Sequence, residues 1–270
     1  MRKVVTRFAP SPTGYLHIGG VRTALFNYIF AKKHAGEFLL RVEDTDQERS
    51  KGEYTDAIIE GLRWLGLTYD GNPTHQSERS VLYQNETARL LANGKAYRCS
   101  CSPERLDALR KEQESKGLKP MYDGLCRDKG ITDEDTVVRL KTPTEGSTIV
   151  DDAVYGKIEF LNKELDDLII QRSNKTPTYH LCNVVDDNAQ GVTHIIRGED
   201  HLPNTPRQIQ IIKALGYDGF NYAHLPLVLG EDKKRLSKRH AATDLMAYKK
   251  LGYLADAILN MLARLGWSKT

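Results

Sequence analysis

The sequence lacks any uninterrupted apolar stretch long enough to cross a membrane, and its N-terminus lacks the basic segment and apolar run of a secretory signal. We therefore expect a cytoplasmic protein with no membrane partner. Hydrophobic residues make up 40% and charged residues 28% of the chain, which is typical of a globular protein. The formal net charge of +3 permits a polyanionic partner such as nucleic acid but does not require one.

Cysteine is scarce, with four residues in a chain of 270. A long chain of cytoplasmic type is not expected to depend on a disulfide framework. Three of the cysteines, Cys99, Cys101 and Cys126, are clustered with the spacing of a tetrahedral zinc site. Buried structural thiols are the alternative, because free cysteine is among the most buried residue types. Cys182 stands alone, and we expect it to lie in the core on a strand.

No repeat, low-complexity segment or Ser/Gly-rich linker interrupts the chain, so its parts are expected to pack against one another. Strand and helix patterns alternate near both ends, whereas the middle third combines the cysteine cluster, a highly charged helix and short alternating strands. This order predicts an α/β fold with a doubly wound, Rossmann-type parallel sheet, split by an inserted α+β domain and followed by a helical segment.

The predicted division of the chain follows from these patterns. Residues 1–80 form the first half of the sheet domain, 81–180 the insertion, 181–236 the second half, and 237–270 a polar loop followed by the helical segment. Strands are predicted at 4–8, 37–44, 184–185, 192–197 and 225–229, and helices from residue 17 onward and at 57–65, 77–92, 102–116 and 206–215.

The stretch from Phe8 to Gly20 joins the first predicted strand to the first helix through two prolines and Gly14. The prolines prevent the strand from continuing, and Gly14 permits a tight turn. His17 and Gly19 then fall in the first turn of the helix, where unpaired N–H groups and the positive end of the dipole attract an anion. The stretch predicts a phosphate or nucleotide site, with a plain structural turn as the alternative.

Two segments of the sequence carry a resemblance to a known family. Residues 10–20, Pro-Ser-Pro-Thr-Gly-Tyr-Leu-His-Ile-Gly-Gly, resemble the HIGH signature of class I aminoacyl-tRNA synthetases in the form used by glutamyl-tRNA synthetases. Residues 235–239, Arg-Leu-Ser-Lys-Arg, resemble the KMSKS signature of the same class, with Arg235 at its first position. A solvated basic loop is the alternative for the second segment. Two signatures in this order, on the expected kinds of element, favour the family.

The resemblance implies an enzyme that activates L-glutamate with ATP and transfers it to the 3′-terminal ribose of tRNA(Glu). Activation needs aligned reactants and stabilised phosphoryl charge rather than an enzyme nucleophile. ATP is implied as the nucleotide, with Mg²⁺ bridging its phosphates. The family pattern makes His17, Lys238 and Arg239 the catalytic residues, and His17, Gly19, Gly20, Asp200 and Lys238 the ATP-binding residues.

Glutamate carries two carboxylates and one ammonium group, so its site should contain two guanidinium groups and one acid. The resemblance implies that Arg197 contacts the side-chain carboxylate, Arg7 the α-carboxylate and Glu43 the ammonium group. Helix capping by Glu43 or Asp44 and simple packing by Tyr179 are the alternatives. The positions that match the family's glutamate site are Arg7, Ala9, Ser11, Glu43, Tyr179, Asn183 and Arg197.

The predicted insertion resembles the domain that receives the acceptor end of tRNA in this family. Candidate phosphate contacts are Arg105, Arg110, Lys111, Arg207 and Lys213, with solvated helix faces as the alternative. The resemblance also suggests two candidates for a fourth ligand of Zn²⁺. Asp128 stands where bacterial relatives often have histidine, and Tyr122 matches a tyrosine of a tRNA-modifying paralogue.

Taken together, these matches imply the catalytic part of a glutamate–tRNA ligase, monomeric and without the anticodon-binding region. The first alternative is the short paralogue that glutamylates queuosine in tRNA(Asp), which has a similar length. The second is a non-catalytic, synthetase-like tRNA-binding module, which the presence of His17, Lys238 and the glutamate-site residues disfavours.

Overall fold

The computed structural model describes residues 2–46, 48–229 and 244–266. Its helices are α1 (Ile18–Lys33), α2 (Gly52–Trp64), α3 (Ser80–Ala92), α4 (Pro103–Ser115), α5 (Tyr179–Ala189), α6 (Thr205–Leu215), α7 (Leu245–Lys250) and α8 (Ala255–Arg264). Its strands are β1 (Val5–Phe8), β2 (Glu37–Val42), β3 (Thr74–His75), β4 (Ala96–Cys99), β5 (Val137–Leu140), β6 (Ser147–Asp152), β7 (Gly156–Leu161), β8 (Ile169–Gln171), β9 (His194–Gly198) and β10 (Asn221–Leu225). Within the described ranges, none of the helices has the length and apolar character of a bilayer span.

The first sheet is parallel and has the strand order β1-β2-β3. Helix α1 connects β1 to β2, which makes the predicted strand–helix–strand unit. Gly36, which precedes β2, lies against the residue before β1. An added Cβ on Gly36 would lie 2.2 Å from the carbonyl oxygen of Val4. Only glycine fits at this entry to the second strand.

The second sheet has the order β7-β6-β10-β9, in which β6, β10 and β9 are mutually parallel and β7 is antiparallel to β6. Its β9 edge lies against β1, and the amide of Thr193 donates a hydrogen bond to the carbonyl of Val5 (2.9 Å). The order of the parallel strands therefore reverses between β1 and β9. A crevice beyond the carboxyl ends of the strands is the expected ligand site at such a point.

A third, antiparallel sheet, β4-β5-β8, comes from the middle of the chain. The predicted α/β fold with parallel strands and covering helices is thus confirmed. The hairpin of β6 and β7 lies within the predicted insertion at 81–180, yet β6 pairs with β10 of the second parallel sheet. Ala153 continues this pairing, since its amide donates to the carbonyl of Tyr222 (2.9 Å).

Two predicted strands are wrong. Residues 184–185 belong to helix α5, as does Cys182, although the expected burial of Cys182 is confirmed. Helix α5 buries both apolar and acidic residues, so the polar face that would have revealed helical periodicity is missing. The strand predicted at 225–229 is instead β10, which ends at Leu225 because the following Pro226 has no N–H for a ladder.

Two large apolar cores support the sheets. One joins α1 and α2 to the C-terminal helices, where Leu245, Ile258 and Leu262 are buried. The other joins α3, α5 and α6 to the antiparallel sheet. Arg22 of α1 connects this helix to two later parts of the chain, because its guanidinium donates to the carbonyls of Leu265 (3.0 Å) and Pro226.

Candidate active site

The carboxyl ends of β1, β2 and β9 bring three predicted site residues to the same edge of the molecule. Arg7 lies near the end of β1, Glu43 directly follows β2, and Arg197 lies near the end of β9. All three are buried. The first turns of α5 add Tyr179 and Asn183, which are separated by one helical turn and point along the same face.

A buried ion-pair cluster lies beneath this edge. The Arg7 guanidinium donates to both carboxylate oxygens of Asp187, at 3.0 and 3.3 Å. Arg41 contacts the same carboxylate at 2.6 Å and lies 3.5 Å from Glu43. Arg41 also donates to the side-chain oxygen of Asn183 (3.0 Å). Charges this deeply buried are stable only when they are paired, so each member of the cluster fixes the others.

The cluster gives its two carboxylates opposite titration behaviour. Burial raises the pKa of Glu43 above its ordinary value, although Arg41 and Arg7 oppose the shift. Burial acts in the same direction on Asp187, but Arg41 and Arg7 outweigh it and hold the pKa of Asp187 below its usual range. Asp187 is therefore a fixed counter-ion, whereas Glu43 gains from a further cation.

Arg197 differs from Arg7 and Arg41 in its partners. Its Nε donates to Nε2 of His224 (3.2 Å) and its Nη2 donates to Oγ1 of Thr205 (2.8 Å). Across the described residues it forms no ion pair, and burial lowers its pKa. A buried guanidinium without a carboxylate, at the carboxyl edge of parallel strands, is a candidate site for an anionic ligand. Next to it, the Tyr179 hydroxyl lies 3.0 Å from Nδ1 of His201.

The turn between β1 and α1 contains the remaining residues of the first signature. His17 is the N-cap of α1, and its Nδ1 accepts a hydrogen bond from the amide of Gly20 (3.0 Å). An added Cβ on Gly19 would lie 3.2 Å from that imidazole. Ala9 and Ser11 lie in the turn, which is fixed to the end of β2 because the Glu43 amide donates to the carbonyl of Pro10 (2.9 Å).

Asp200 lies in a short 3-10 segment, Glu199–Asn204, directly after β9. An added Cβ on Gly198 would lie 2.5 Å from an Asp200 carboxylate oxygen, so this residue must be glycine if Asp200 keeps its position. The second signature, including Arg235, Lys238 and Arg239, lies outside the described residues.

Glu43 and Asp44, which follow β2, do not cap the next helix, α2. The carboxylate of Asp44 accepts hydrogen bonds from the amide (2.8 Å) and hydroxyl (2.9 Å) of Ser77, far from the start of α2. The N-cap residue of α2 is Lys51, which makes no capping bond through its side chain. Glu43 faces the arginines instead.

Sequence reasoning missed Arg41, Asp186 and Asp187 as members of the site. Asp186 accepts from Arg79 (2.7 Å) and from the hydroxyl of Tyr83 (2.8 Å). The signal available in the sequence was an adjacent pair of acids within an apolar segment, which is costly unless cations are buried nearby.

The cysteine cluster forms as predicted in position, with the sulfur atoms of Cys99, Cys101 and Cys126 all within 4.8 Å of one another. The Tyr122 hydroxyl joins them, 3.4 Å from the Cys99 sulfur and 3.7 Å from the Cys101 sulfur. Asp128 instead pairs with Lys141 (2.9 Å) on the surface. The structure therefore groups Tyr122, and not Asp128, with the thiols.

The five basic candidates for phosphate contacts differ in how they are held. Arg207 pairs with Asp166 (2.8 Å), and Arg105 pairs with Asp123. Arg110 and Lys111 lie on α4, which has no buried residue, and Lys213 is exposed on α6. Arg207 and Arg105 therefore have partly buried partners, whereas Arg110, paired with Asp107 of the same helix (3.6 Å), and Lys111 are exposed on α4.

Comparison with known proteins gives a consistent result. The family described as "tRNA synthetases class I (E and Q), catalytic domain" matches residues 3–270. The chain is 55% identical over 271 residues to glutamate–tRNA ligase 1 of Alkalilimnicola ehrlichii, and 56% identical over 270 residues to glutamate–tRNA ligase of Geobacter sulfurreducens. Each match covers 99% of this chain and 58% of the relative, so the chain spans little more than half of their length.

Solved structures agree with the sequence relatives. The crystal structure of a glutamate tRNA ligase from Elizabethkingia meningosepticum, in complex with its amino acid, matches with a TM-score of 0.90 and 36% identity. This match covers 98% of the present chain and 61% of that structure. Glutamate-tRNA synthetase from Elizabethkingia anophelis matches with a TM-score of 0.89 over 98% of this chain and 62% of its own, also at 36% identity.

Proposed function

The chain belongs to the class I tRNA synthetase family for E and Q, as its catalytic domain, and from this membership we propose that it activates L-glutamate with ATP and transfers it to tRNA(Glu). The observation that carries the choice of glutamate is the buried Arg197, which has no carboxylate partner among the described residues. A side-chain carboxylate satisfies this guanidinium, whereas the neutral amide of glutamine leaves its charge unpaired.

The other substrate groups have matching partners. Glu43, whose ionised form is destabilised by burial, receives the ammonium group of glutamate. Arg7 uses Nε and Nη2 on Asp187 and offers its remaining guanidinium donors to the α-carboxylate. Tyr179 and Asn183 line the site from α5, while Ala9 and Ser11 line it from the turn after β1.

ATP binds where the first signature opens α1. His17, Gly19 and Gly20 lie at this helix terminus, where backbone N–H groups and the helix dipole favour phosphate, and Asp200 lies after β9. Lys238 and Arg239 of the second signature stabilise the departing pyrophosphate. Mg²⁺, bound through the phosphates, neutralises part of their charge.

The reaction proceeds in two balanced steps. The glutamate α-carboxylate attacks the α-phosphorus of ATP, which forms glutamyl-adenylate as the bond to pyrophosphate breaks. A hydroxyl of the terminal ribose of tRNA, the 2′ hydroxyl by class, then attacks the activated carbonyl, and AMP leaves. The residues named above align the reactants and hold the developing charge, so no side chain becomes covalently bound.

The middle of the chain, 81–180, acts as the insertion that receives the tRNA acceptor end, between the sheet halves 1–80 and 181–236, with 237–270 as the helical segment. Its β6–β7 hairpin is the part that joins the second parallel sheet. Arg110 and Lys111 on the exposed α4 are its proposed phosphate contacts. The chain works as a monomer in the cytoplasm, where its tRNA is found.

Zn²⁺ would be held in the insertion by Cys99, Cys101 and Cys126, with the Tyr122 hydroxyl as the fourth ligand. With Zn–S bonds of about 2.3 Å, a tetrahedral site separates its sulfur atoms by roughly 3.8 Å. The Cys101–Cys126 sulfur distance of 3.5 Å is close to that value. The amide of Cys126 donates to the Tyr122 oxygen (2.9 Å), which keeps that oxygen beside the thiols.

Glutamate-dependent charging tests the proposal. The longest natural product of the gene and the 270-residue chain are each assayed with tRNA(Glu) and with queuosine-containing tRNA(Asp). We expect glutamylation of tRNA(Glu). Glutamylation of tRNA(Asp) alone would identify the queuosine-modifying activity instead, and tRNA binding without AMP formation would identify a non-catalytic module.

The variant Arg197→Gln tests whether Arg197 binds the side-chain carboxylate of glutamate. A buried charged hydrogen bond to substrate is worth about 2–3 kcal/mol, so the KM for glutamate should rise about 30- to 150-fold while the KM for ATP stays unchanged. The preference for glutamate over glutamine should shrink by a similar factor. Equal glutamate KM values for the variant and the parent would rule out Arg197 as the carboxylate-binding residue.

A further inference from the structure

A buried chain of hydrogen bonds leads from β6 to Arg197. Asp152 of β6 lies 2.6 Å from Nδ1 of His224 on β10, and Nε2 of the same imidazole lies 3.2 Å from Nε of Arg197 on β9. Asp152 and His224 have fully buried side chains. Neither residue belongs to a signature segment.

The directions of these hydrogen bonds follow from the chemistry of arginine. A guanidinium only donates, so Nε2 of His224 must accept the bond from Arg197 and cannot carry a proton. The single proton of the neutral ring is therefore on Nδ1, where it is donated to Asp152. Burial lowers the pKa of His224, although Asp152 opposes the shift, and the ring is neutral at physiological pH.

Asp152 is held in place by backbone amides as well as by the His224 imidazole. One of its oxygens accepts from the amides of Val154 (2.9 Å) and Tyr155 (3.0 Å), and the other accepts from the amide of His224 (3.1 Å). Burial opposes the ionisation of Asp152, but these bonds and His224 hold its pKa below the usual range. The carboxylate is thus a fixed, ionised acceptor.

These bonds occupy one edge of the Arg197 guanidinium. Nε is bound by His224 and Nη2 by Thr205, whose hydroxyl also lies 3.1 Å from Nε2 of His224. Nη1 makes no hydrogen bond to any described residue. The planar group is therefore held in a fixed orientation, with Nη1 left to donate to a ligand. Bidentate recognition of a carboxylate requires such a fixed orientation.

Building on the proposed function, we propose that Asp152 and His224 are positioning residues that fix the Arg197 guanidinium for the side-chain carboxylate of glutamate. They act through Arg197, because Asp152 selects the imidazole tautomer that can accept its Nε proton. This role also gives a reason for β6, from the middle of the chain, to join the parallel sheet beside β10.

The variant Asp152→Asn tests the tautomer. An amide at this position donates to Nδ1 of His224, which forces the proton onto Nε2 and sets it against the N–H of Arg197. An unsatisfied donor costs about 1–3 kcal/mol, so the KM for glutamate should rise roughly 5- to 150-fold at unchanged KM for ATP. The amide oxygen can still accept from Val154 and Tyr155, which keeps the turn, while the bond from the backbone amide of His224 is lost.

Two variants of His224 separate positioning from packing. Gln and Met have similar lengths, but only Gln offers an oxygen that can accept from Arg197. His224→Gln should retain most of the glutamate affinity, whereas His224→Met should lose it as Asp152→Asn does. Thr148→Val is the matched control on β6, because it removes a buried hydrogen bond to Asn162 (2.7 Å) away from Arg197.

All variants are assayed for tRNA charging in the longest natural gene product, with Arg197→Gln alongside. The proposal is overturned if Asp152→Asn and His224→Met keep the parent glutamate KM while Arg197→Gln raises it, or if they change the KM for ATP and glutamate equally. Failure of Arg197→Gln to affect glutamate would instead reject the proposed glutamate site.

A measurement on the unaltered protein tests the proposal even if the variants fail to fold. Nitrogen-15 NMR of labelled histidines reports which ring nitrogen carries the proton. We expect His224 to show a protonated Nδ1 and a bare Nε2 at pH 7, with a shift of the Nε2 signal when glutamate is added. A protonated Nε2 in the free protein would overturn the proposal.

Discussion

Arg41 is the residue on which the charge balance of the site depends. Its side chain is fully buried, lies 2.6 Å from Asp187, 3.5 Å from Glu43 and 3.9 Å from Asp186, and is not a predicted substrate contact. The sequence could not reveal this role, because an arginine in the alternating pattern of β2 has the same appearance as a solvent-facing strand residue. Its function is to serve as a counter-ion of the buried Asp187, whose pKa it helps to hold below the usual range.

Replacing Arg41 with Met should lower the free energy of unfolding by about 3–5 kcal/mol, since it removes the guanidinium that lies within 4 Å of all three buried carboxylates of the cluster. Lys249→Met is the matched control, because it removes the exposed ion pair to Glu60, which contributes about 0–1 kcal/mol. Chemical denaturation measures both. Equal losses for the two variants would contradict the assigned role of Arg41.

His180 makes the stability of the protein depend on pH. Burial, together with the positive charges of Arg207 and Arg197, lowers its pKa from 6.5 to about 4. Because the unfolded chain binds a proton more readily, stability is fully present above pH 6.5 and is lost as the pH falls towards 4, by on the order of 3 kcal/mol.

His180→Gln removes this titration and should flatten the stability profile between pH 6.5 and 4, since glutamine carries no proton to gain. Denaturant midpoints measured across that range provide the test, and His34→Gln, on an exposed imidazole after α1, is the comparison variant. Parallel pH profiles for the parent and His180→Gln would show that other groups govern acid stability.

At the scale of elements, the sequence predicted most helices because their ends carry local signals. The charged helix predicted at 102–116 is α4, where Ser102 caps the first turn by accepting from the amide of Arg105 (3.3 Å) and Pro103 takes the first position. Helix α5 has no such amphipathic face, and so it was mistaken for a strand. Burial from several sides, rather than weak helix propensity, concealed it.

The site residues on elements with recognisable ends were likewise placed at one edge from the sequence. Arg7, Glu43 and Arg197 lie at the carboxyl ends of parallel strands, and this placement is enough to bring them together. Asp152 and His224 could not be found in the same way, because their meeting depends on the pairing of β6 with β10 across distant parts of the chain.

The segment from Gly117 to Thr136 contains no helix or strand. Its Cys126 lies beside Cys99 of β4 and Cys101, so the thiol cluster attaches the segment to the end of β4. If Zn²⁺ is bound there, the purified protein should contain one zinc ion per chain, and a strong chelator should loosen this segment first. Metal analysis and hydrogen exchange of residues 117–136 measure both effects. Equal exchange with and without chelator would argue against a structural metal.

The two candidate fourth ligands can be distinguished directly. Tyr122→Phe should weaken zinc retention, whereas Asp128→Asn should leave it unchanged, because the Asp128 carboxylate is engaged by Lys141. Cys182→Ala serves as the control thiol outside the cluster. Zinc loss in Asp128→Asn with retention in Tyr122→Phe would reverse the assignment.

At the scale of the whole molecule, the C-terminal helices belong to the core of the N-terminal half. Gly61 of α2 allows this contact, since an added Cβ would lie 2.8 Å from the fully buried side chain of Leu245. The packing of α7 on α2 therefore depends on Gly61, which is not among the candidate site residues. From sequence, Gly61 is a mild helix defect, and its partner is too distant along the chain to be anticipated.

Gly61→Ala should destabilise the protein by about 1–3 kcal/mol, because overpacking outweighs the gain in helix propensity. Gly52→Ala in the same helix, where nothing lies within 4 Å of an added Cβ, should be neutral or slightly stabilising. Thermal unfolding compares the two. A stabilised Gly61→Ala variant would mean that α7 packs less closely on α2.

Arg22 and Leu16 hold the stretches on either side of residues 230–243 close to the first signature. Arg22 donates to the carbonyl of Pro226, and the carbonyl of Leu16 accepts a hydrogen bond from the amide of Leu245 (2.9 Å). Pro226 and Leu245 are therefore both attached to the turn and helix that carry His17.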